Sequence, residues 1–130
     1  MPAWEEYKKH AKERGALAME VYVAVSTPVA EPEVVLSHLS DHLAYIRSIE
    51  ASGDLMFAGP LSDLTGEKME AKGMLVFRAK SLDHARELAE NDPMHKTGAR
   101  EFELRRWMIN EGGFQLDVKL SAQSVRFSVD

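Results

Sequence analysis

The sequence of residues 81–98, SLDHARELAENDPMHKTG, contains a helix start, a helix stop and a turn that carries ionisable side chains. Ser81 is a favourable N-cap, and the apolar residues behind it recur on one stripe of a helix. Pro93 cannot continue that helix, because it lacks a backbone N–H and its ring clashes with the preceding turn. We therefore predict that Asp92 and His95 lie just past a helix end, where binding groups are often found.

The composition of the whole chain is that of an ordinary globular protein. It has 130 residues, of which 45% are hydrophobic and 28% are charged, so we expect a single domain over residues 1–130. A formal net charge of -5 argues against nucleic acid as a partner, because phosphate backbones bind clustered Lys and Arg. The sequence has no cysteine, which leaves His, carboxylate and hydroxyl groups for any chemistry.

No segment of the sequence predicts export or membrane insertion. The first 15 residues lack the continuous apolar stretch of a signal peptide, and no later run reaches the length of a membrane span. We therefore expect a cytoplasmic protein without a membrane partner. Cofactor-binding motifs such as a phosphate loop are also missing, so no cofactor is expected.

Apolar periodicity predicts an alternation of helices and strands. The predicted elements are, in chain order, a helix at 3–14, a strand at 19–25, a helix at 31–52, strands at 55–58 and 73–78, a helix beginning at Ser81, a strand at 100–109 and a hairpin at 113–130. The middle six follow the order β-α-β-β-α-β, which is that of the α+β ferredoxin-like, or split βαβ, fold. We expect a core of about residues 19–111, with an N-terminal helix in residues 1–15 and a C-terminal β-hairpin as extensions.

The predicted C-terminal hairpin has the clearest alternation in the chain. Apolar side chains occupy every second position from Phe114 to Leu120 and again from Val125 to Val129. An exposed apolar hairpin of this size is an aggregation hazard, and a ferredoxin-like sheet also leaves one face open. A partner subunit would cover such surfaces, so we predict a homodimer or a higher homo-oligomer.

Three sequence blocks together resemble the YCII-related (YciI-like) family. These blocks are HLAYI at 42–46, AGPL at 58–61 and SLDHARELAENDP at 81–93. The resemblance covers about residues 19–111, and DPMHKTG at 92–98 and WMINEG at 107–112 look like one branch of the family. It implies a ferredoxin-like protomer that pairs into a dimeric α+β barrel, which agrees with the element order.

The same resemblance implies a candidate site. The family is similar to muconolactone-isomerase-like and chlorinated-aromatic dehydrochlorinase proteins, in which a His paired with an Asp is proposed to move protons. Carried onto this chain, the histidine is His42, the aspartate is Asp92, and His95 is the additional histidine of the branch. Many relatives have a basic residue one helical turn before the histidine, where this chain has Leu39.

These residues lead to a hypothesis of a cofactor-independent lyase or isomerase acting on a small cyclic organic substrate. His42 would be the base, Asp92 would orient it, and His95 would be an auxiliary acid or hydrogen-bond donor. Each of these residues also allows a structural role. His42 could be a packed helix histidine, Asp92 could stabilise a turn, and His95 could be an exposed histidine. The chain would then be a non-catalytic small-ligand-binding, sensor or dimerisation domain.

Four further residues are candidates for contact with a substrate. Gly59 and Pro60 either form the rim of a pocket or allow close backbone packing. Arg78 is either an exposed strand residue or an anion-binding group, and Trp107 is either core material or the wall of a cavity for a flat ligand. His38 has the spacing of a second metal ligand beside the helix histidine, but no third ligand is near in sequence, so no metal site is predicted.

Overall fold

The computed structural model describes residues 1–129 and has the α+β architecture that the periodicity predicts. Its elements are α1 (Trp4–Glu13), β1 (Met19–Pro28), α2 (Pro32–Ser37), α3 (Leu39–Ser52), β2 (Leu55–Ser62), β3 (Met69–Phe77), α4 (Leu82–Glu90), α5 (Pro93–Lys96), β4 (Arg100–Ile109), β5 (Leu116–Lys119) and β6 (Ser124–Phe127). The bounds of β4 are those that the sequence predicts. The predicted β-α-β-β-α-β order is present in β1 to β4.

Four of the strands form one sheet with the order β2-β3-β1-β4. Strand β3 pairs antiparallel with both β1 and β2, and Phe77 lies opposite Tyr22 on one side and Leu55 on the other. This strand order, together with the helices between β1 and β2 and between β3 and β4, is the ferredoxin-like arrangement.

The main core lies between one face of this sheet and the helices α3 and α4. Tyr22 and Phe77 share the inner face because they are cross-strand partners, and they belong to the same buried cluster as Ile49 of α3 and Leu88 of α4. Phe77 is 1% exposed. Ser81 caps α4 as predicted, since its side chain accepts a hydrogen bond from the backbone N–H of His84 at 3.0 Å.

The helix predicted at 31–52 is divided in two at His38. The hydroxyl of Ser37 donates to the carbonyl of Val34 at 2.6 Å, and the backbone N–H of His38 donates to the carbonyl of Val35 at 3.1 Å. His38 itself leaves helical geometry, with φ -101° and ψ 0°, and its bond to the carbonyl three residues back is the tightened type that closes a helix end. The helix restarts at once, and the N–H of His42 donates to the carbonyl of His38.

Strand β2 continues through the Gly59-Pro60 step, which the sequence predicts as its end. Proline is tolerated there because β2 is an edge strand, so the missing N–H costs no central ladder bond. The register shifts between Leu55 and Phe57 and again between Pro60 and Ser62. Strand β3 correspondingly begins at Met69, earlier than predicted, and Ala71 within it has a positive φ of 64°.

The chain divides into two compact units, and the first combines residues 1–19 with the segment that begins at Met108. In this unit α1 buries Ala11 in a small cluster with Ala18 and Met108. The predicted hairpin is present as the β5–β6 pair, and its apolar side chains are each more than half exposed: Phe114, Leu116, Val118, Leu120, Val125, Phe127 and Val129.

The second unit is Glu20–Trp107, and it contains the main core and the candidate site described below. In neither unit does a helix within residues 1–129 combine the length and the apolar character that crossing a bilayer requires.

Candidate functional site

The Asp92-Pro93 step begins a short second helix where the sequence predicts a turn. Asp92 is the N-cap of α5 with an extended backbone (φ -62°, ψ 125°), and its Oδ1 accepts a hydrogen bond from the N–H of Met94 at 2.9 Å. Pro93 suits the first helical position, where the missing N–H has no partner to lose. Gly98, with φ 79°, follows the helix end. The carboxylate is therefore fixed by its own backbone, and Asp92 is 1% exposed.

The buried carboxylate of Asp92 contacts the imidazole of His42 on α3. His42 Nδ1 lies 2.9 Å from Oδ1 and 2.8 Å from Oδ2 of Asp92. An ionised carboxylate can only accept hydrogen bonds, so Nδ1 carries the proton and Nε2 of the neutral ring remains an acceptor. This pairing joins residues 50 positions apart in the sequence and fixes the orientation of the ring.

His42 also lines a cavity of about 450 Å³ in the second unit. Its side chain is 23% exposed. Most of the cavity wall is apolar, and part of that wall comes from Leu39, Leu43, Ile46, Met74, Leu75 and Met94. The polar side chains in the wall are Ser26, His42, Lys72 and Arg100. A concave, mainly apolar site with a few convergent polar groups is typical of binding sites for small molecules.

His95 belongs to a hydrogen-bond chain behind the cavity wall. Its Nδ1 lies 2.7 Å from the carbonyl oxygen of Ala89, which can only accept, so Nδ1 donates. Nε2 of the neutral ring therefore accepts from the hydroxyl of Ser26 at 2.8 Å, and that oxygen in turn accepts from Nε of Arg100 at 2.8 Å. The order of donors is thus Arg100 to Ser26 to His95 to Ala89. The ring of His95 also packs against Phe102, with centroids 4.8 Å apart.

Burial of the His95 ring lowers its pKa below the ordinary value of 6.5, and the charges of Arg100 and His42 act in the same direction. The hydrogen bond to Ala89 and the charge of Asp92 oppose this shift. The lowered pKa is consistent with the neutral ring that the hydrogen-bond chain requires.

We expect acid to destabilise the protein partly through His95. Because the folded pKa lies below the unfolded one, the unfolded chain binds the extra proton, and this contribution to stability is lost as the pH falls below about 6.5. Urea denaturation from about pH 7.5 to about pH 5 should therefore show a smaller fall in the free energy of unfolding for His95→Gln than for the wild type. Parallel pH curves for the two proteins would contradict this assignment.

The structure brings some of the other predicted residues to the cavity and leaves others away from it. Gly59 and Pro60 line it. Arg78 does not, because it is exposed at the end of β3, with Nη1 3.4 Å from the carbonyl oxygens of Gly53 and Leu55. Trp107 is 42% exposed and is also absent from the wall.

The side chains of residues 1–129 form no cluster of three or more His, Cys, Asp or Glu that could hold a metal ion. The pair of His38 and His42 therefore acquires no third side chain of these types from elsewhere in the described fold.

Three polar residues of the cavity, Ser26, Lys72 and Arg100, are missing from the sequence prediction. Ser26 lies in the apolar strand β1 and is 4% exposed, and Arg100 is the first residue of β4. A polar side chain inside a buried apolar strand is an informative signal, so Ser26 could have been noticed. Arg100 could not, because nothing in its local sequence distinguishes it from the exposed arginines of the chain.

Comparison with known proteins identifies the family of the chain. A family model described as the YCII-related domain matches residues 16–108. The chain belongs to this family, which confirms the resemblance. An uncharacterised relative, YjpA of Bacillus subtilis (strain 168), is 30% identical over 74 residues, which are 57% of this chain and 80% of the relative.

One solved structure is similar in fold. It is the 5-chloro-2-hydroxyhydroquinone dehydrochlorinase TftG of Burkholderia phenoliruptrix AC1100, in complex with 2,5-dihydroxybenzoquinone. The TM-score is 0.54 and the sequence identity 22%, over 67% of this chain and 92% of that chain.

Proposed function

We propose that this protein is a cofactor-independent lyase or isomerase that transfers a proton on a small cyclic, oxygenated organic molecule. The observation that carries the proposal is the contact of His42 Nδ1 with both oxygens of the buried Asp92, on a ring that lines a cavity of about 450 Å³. A base whose tautomer is fixed by a carboxylate, beside space for a ligand, is the arrangement that proton transfer needs. TftG, which is similar in fold, is a dehydrochlorinase, and this supports the class of reaction.

In the proposed reaction His42 Nε2 removes a proton from a carbon next to a carbonyl group. The electron pair of the broken C–H bond forms a carbon–carbon double bond and the π pair of the carbonyl group moves to its oxygen, which gives an enolate. Asp92 stabilises the positive charge on the imidazolium. The enolate then re-forms the carbonyl group and either expels a leaving group such as halide, after which the imidazolium releases its proton to solvent, or takes the proton back from the imidazolium on another carbon. The first outcome is an elimination and the second an isomerisation. Neither involves a net oxidation or reduction, so neither needs a redox cofactor.

His95 has a positioning role in this proposal. It accepts from the hydroxyl of Ser26 and is absent from the cavity wall, whereas Ser26 lines the cavity. His95 therefore orients a hydroxyl at the wall. Gly59 and Pro60 contribute part of the wall from the edge strand.

Product analysis tests the proposal directly. The purified protein is incubated with panels of lactones and of halogenated hydroxyaromatic compounds, and products and released halide are measured by chromatography. We expect isomer or dehydrohalogenated product from at least one compound, and no product from a parallel His42→Ala preparation. Saturable binding without any product across both panels would refute catalysis and favour the alternative, a ligand-binding or sensor domain.

We also propose that two copies of the chain pair into the α+β barrel that the family resemblance implies. The exposed apolar side chains of the hairpin support association, because a monomer rarely leaves such a surface in water. Light scattering at micromolar concentration should give the mass of a dimer or of a higher homo-oligomer. A mass of 14.6 kDa, that of one chain, would contradict the pairing.

A further inference from the structure

The charged side chains in the wall of the His42 cavity are all positive. Among the described residues that line it, Lys72 and Arg100 are cationic and none is a carboxylate. This contrasts with the whole chain, which has 21 acidic and 16 basic residues. The carboxylate of Asp92 lies behind His42 and is 1% exposed, and its charge raises the pKa of Arg100 against the effect of burial. The two cations of the wall still outnumber this one carboxylate. The cavity therefore favours a ligand with negative charge.

Arg100 has donors that the protein does not use. Its Nε donates to the hydroxyl of Ser26, and its Nη2 donates to the carbonyl oxygens of Ser26 at 2.9 Å and of Ala71. No residue within 1–129 accepts from Nη1 or forms an ion pair with Arg100. Partial burial lowers the pKa of this guanidinium, which reflects its incomplete hydration. A partly desolvated cation with two unused N–H groups is stabilised when an anion binds to it.

The three contacts of Arg100 also hold the side chain in place before any ligand binds. Two acceptors belong to Ser26 of β1 and one to Ala71 of β3, so both strands fix the guanidinium plane. A preorganised side chain loses little conformational entropy on binding, which increases the affinity it contributes. Arginine held in this way is a built anion site, in contrast to a mobile surface lysine.

The rest of the wall determines what kind of anion fits. Leu39, Leu43 and Ile46 of α3 face the cavity together with Met74 and Leu75 of β3. These side chains favour an apolar ring and gain little from a small, fully hydrated inorganic ion. We propose that the site binds an organic anion, with its ring against the apolar wall and its ionised carboxylate, enol or phenol oxygen held by Arg100. This inference names the substrate class of the proposed enzyme and rests on the same cavity.

Calorimetric titration with a matched pair of probes tests the inference. The anionic probe is 2,5-dihydroxybenzoquinone, whose hydroxyl groups are acidic, and the neutral probe is 2,5-dimethoxybenzoquinone, which has the same ring. We expect the wild type to bind the anionic probe about 10- to 100-fold more tightly, the effect of a charge-assisted hydrogen bond. Equal affinity for the two probes would overturn the proposal, and this comparison needs no variant.

Two variants test whether Arg100 causes the preference for the anionic probe. Arg100→Met removes the charge, so it should lose the preference for the anionic probe while its affinity for the neutral probe stays the same. The matched control is Arg105→Met, because Arg105 lies on the same strand with a side chain that is 77% exposed, and it should bind both probes like the wild type. An unchanged preference in Arg100→Met would overturn the role of Arg100.

The binding experiment is independent of catalysis. If the wild type prefers the anion but converts no compound in the substrate panels, the anion site stands and the proposed lyase or isomerase activity fails. If compounds are converted without any preference between the probes, the activity stands and the anion site fails.

Discussion

Replacing His42 by glutamine is expected to lower turnover by about 100- to 10,000-fold, the usual contribution of a general base. The carboxamide can still donate a hydrogen bond to Asp92, so the buried carboxylate keeps a partner and the melting temperature should change little. The amide nitrogen and oxygen are far weaker bases than imidazole, so the loss should be in kcat. Steady-state kinetics with a compound found in the substrate panels, together with thermal melting, measures both effects.

His38→Gln is the matched control for this variant. His38 lies one turn earlier, at the junction of α2 and α3, and it is absent from the cavity wall. Its substitution should leave turnover within about a factor of two of the wild type, as for a residue away from the reacting groups. Full activity of His42→Gln would remove His42 from the mechanism.

Substitution of Asp92 by alanine is expected to lower the stability of the fold more than substitution of His42 by glutamine. It removes the cap on the N–H of Met94 and the partner of His42, and the free energy of unfolding should fall by about 2 to 4 kcal/mol. Turnover should fall as well, because the ring of His42 is no longer held in one tautomer. Urea denaturation and the same kinetic assay measure the two losses.

Asp92→Asn separates the two roles of this side chain. Asparagine is as good an N-cap as aspartate, so about 1 kcal/mol of the stability lost in the alanine variant should return. The neutral amide cannot stabilise an imidazolium, so turnover should stay low. Equal stability of the alanine and asparagine variants would show that the cap contributes nothing, and wild-type turnover in Asp92→Asn would separate Asp92 from the proposed proton transfer.

The sequence predicts the elements of this fold better than their interruptions. Strand β4 begins and ends where its alternation indicates, whereas the helix at 31–52 is interrupted at His38, whose backbone leaves helical geometry. Strand β2 passes through Pro60 because it lies at the edge of the sheet. Local periodicity contains no information about sheet position, so it could not distinguish an edge strand that continues from one that ends.

The residues of the candidate site were also predicted only in part from the sequence. His42 and Asp92 are 50 residues apart, and each has an adequate local role, so their pairing came from the family resemblance and not from spacing. The sequence left Arg78 as either an exposed residue or an anion-binding group, and in the fold it is exposed, whereas Arg100 lines the cavity. Arg78 directly follows β3 and Arg100 begins β4. Which of these strand ends faces the cavity depends on how the strands pair in the sheet, and local sequence does not contain that information.

One backbone atom accepts hydrogen bonds both from His95 and from Asp92, the partner of His42. The carbonyl oxygen of Ala89 accepts from the N–H of Asp92 at 3.3 Å and from Nδ1 of His95 at 2.7 Å. Arg100, Ser26 and His95 all donate in one direction, so this chain of hydrogen bonds ends on the same oxygen that accepts from the amide of Asp92. The Arg100–Ser26–His95 chain and the Asp92–His42 pair therefore share one backbone acceptor, the carbonyl group of Ala89.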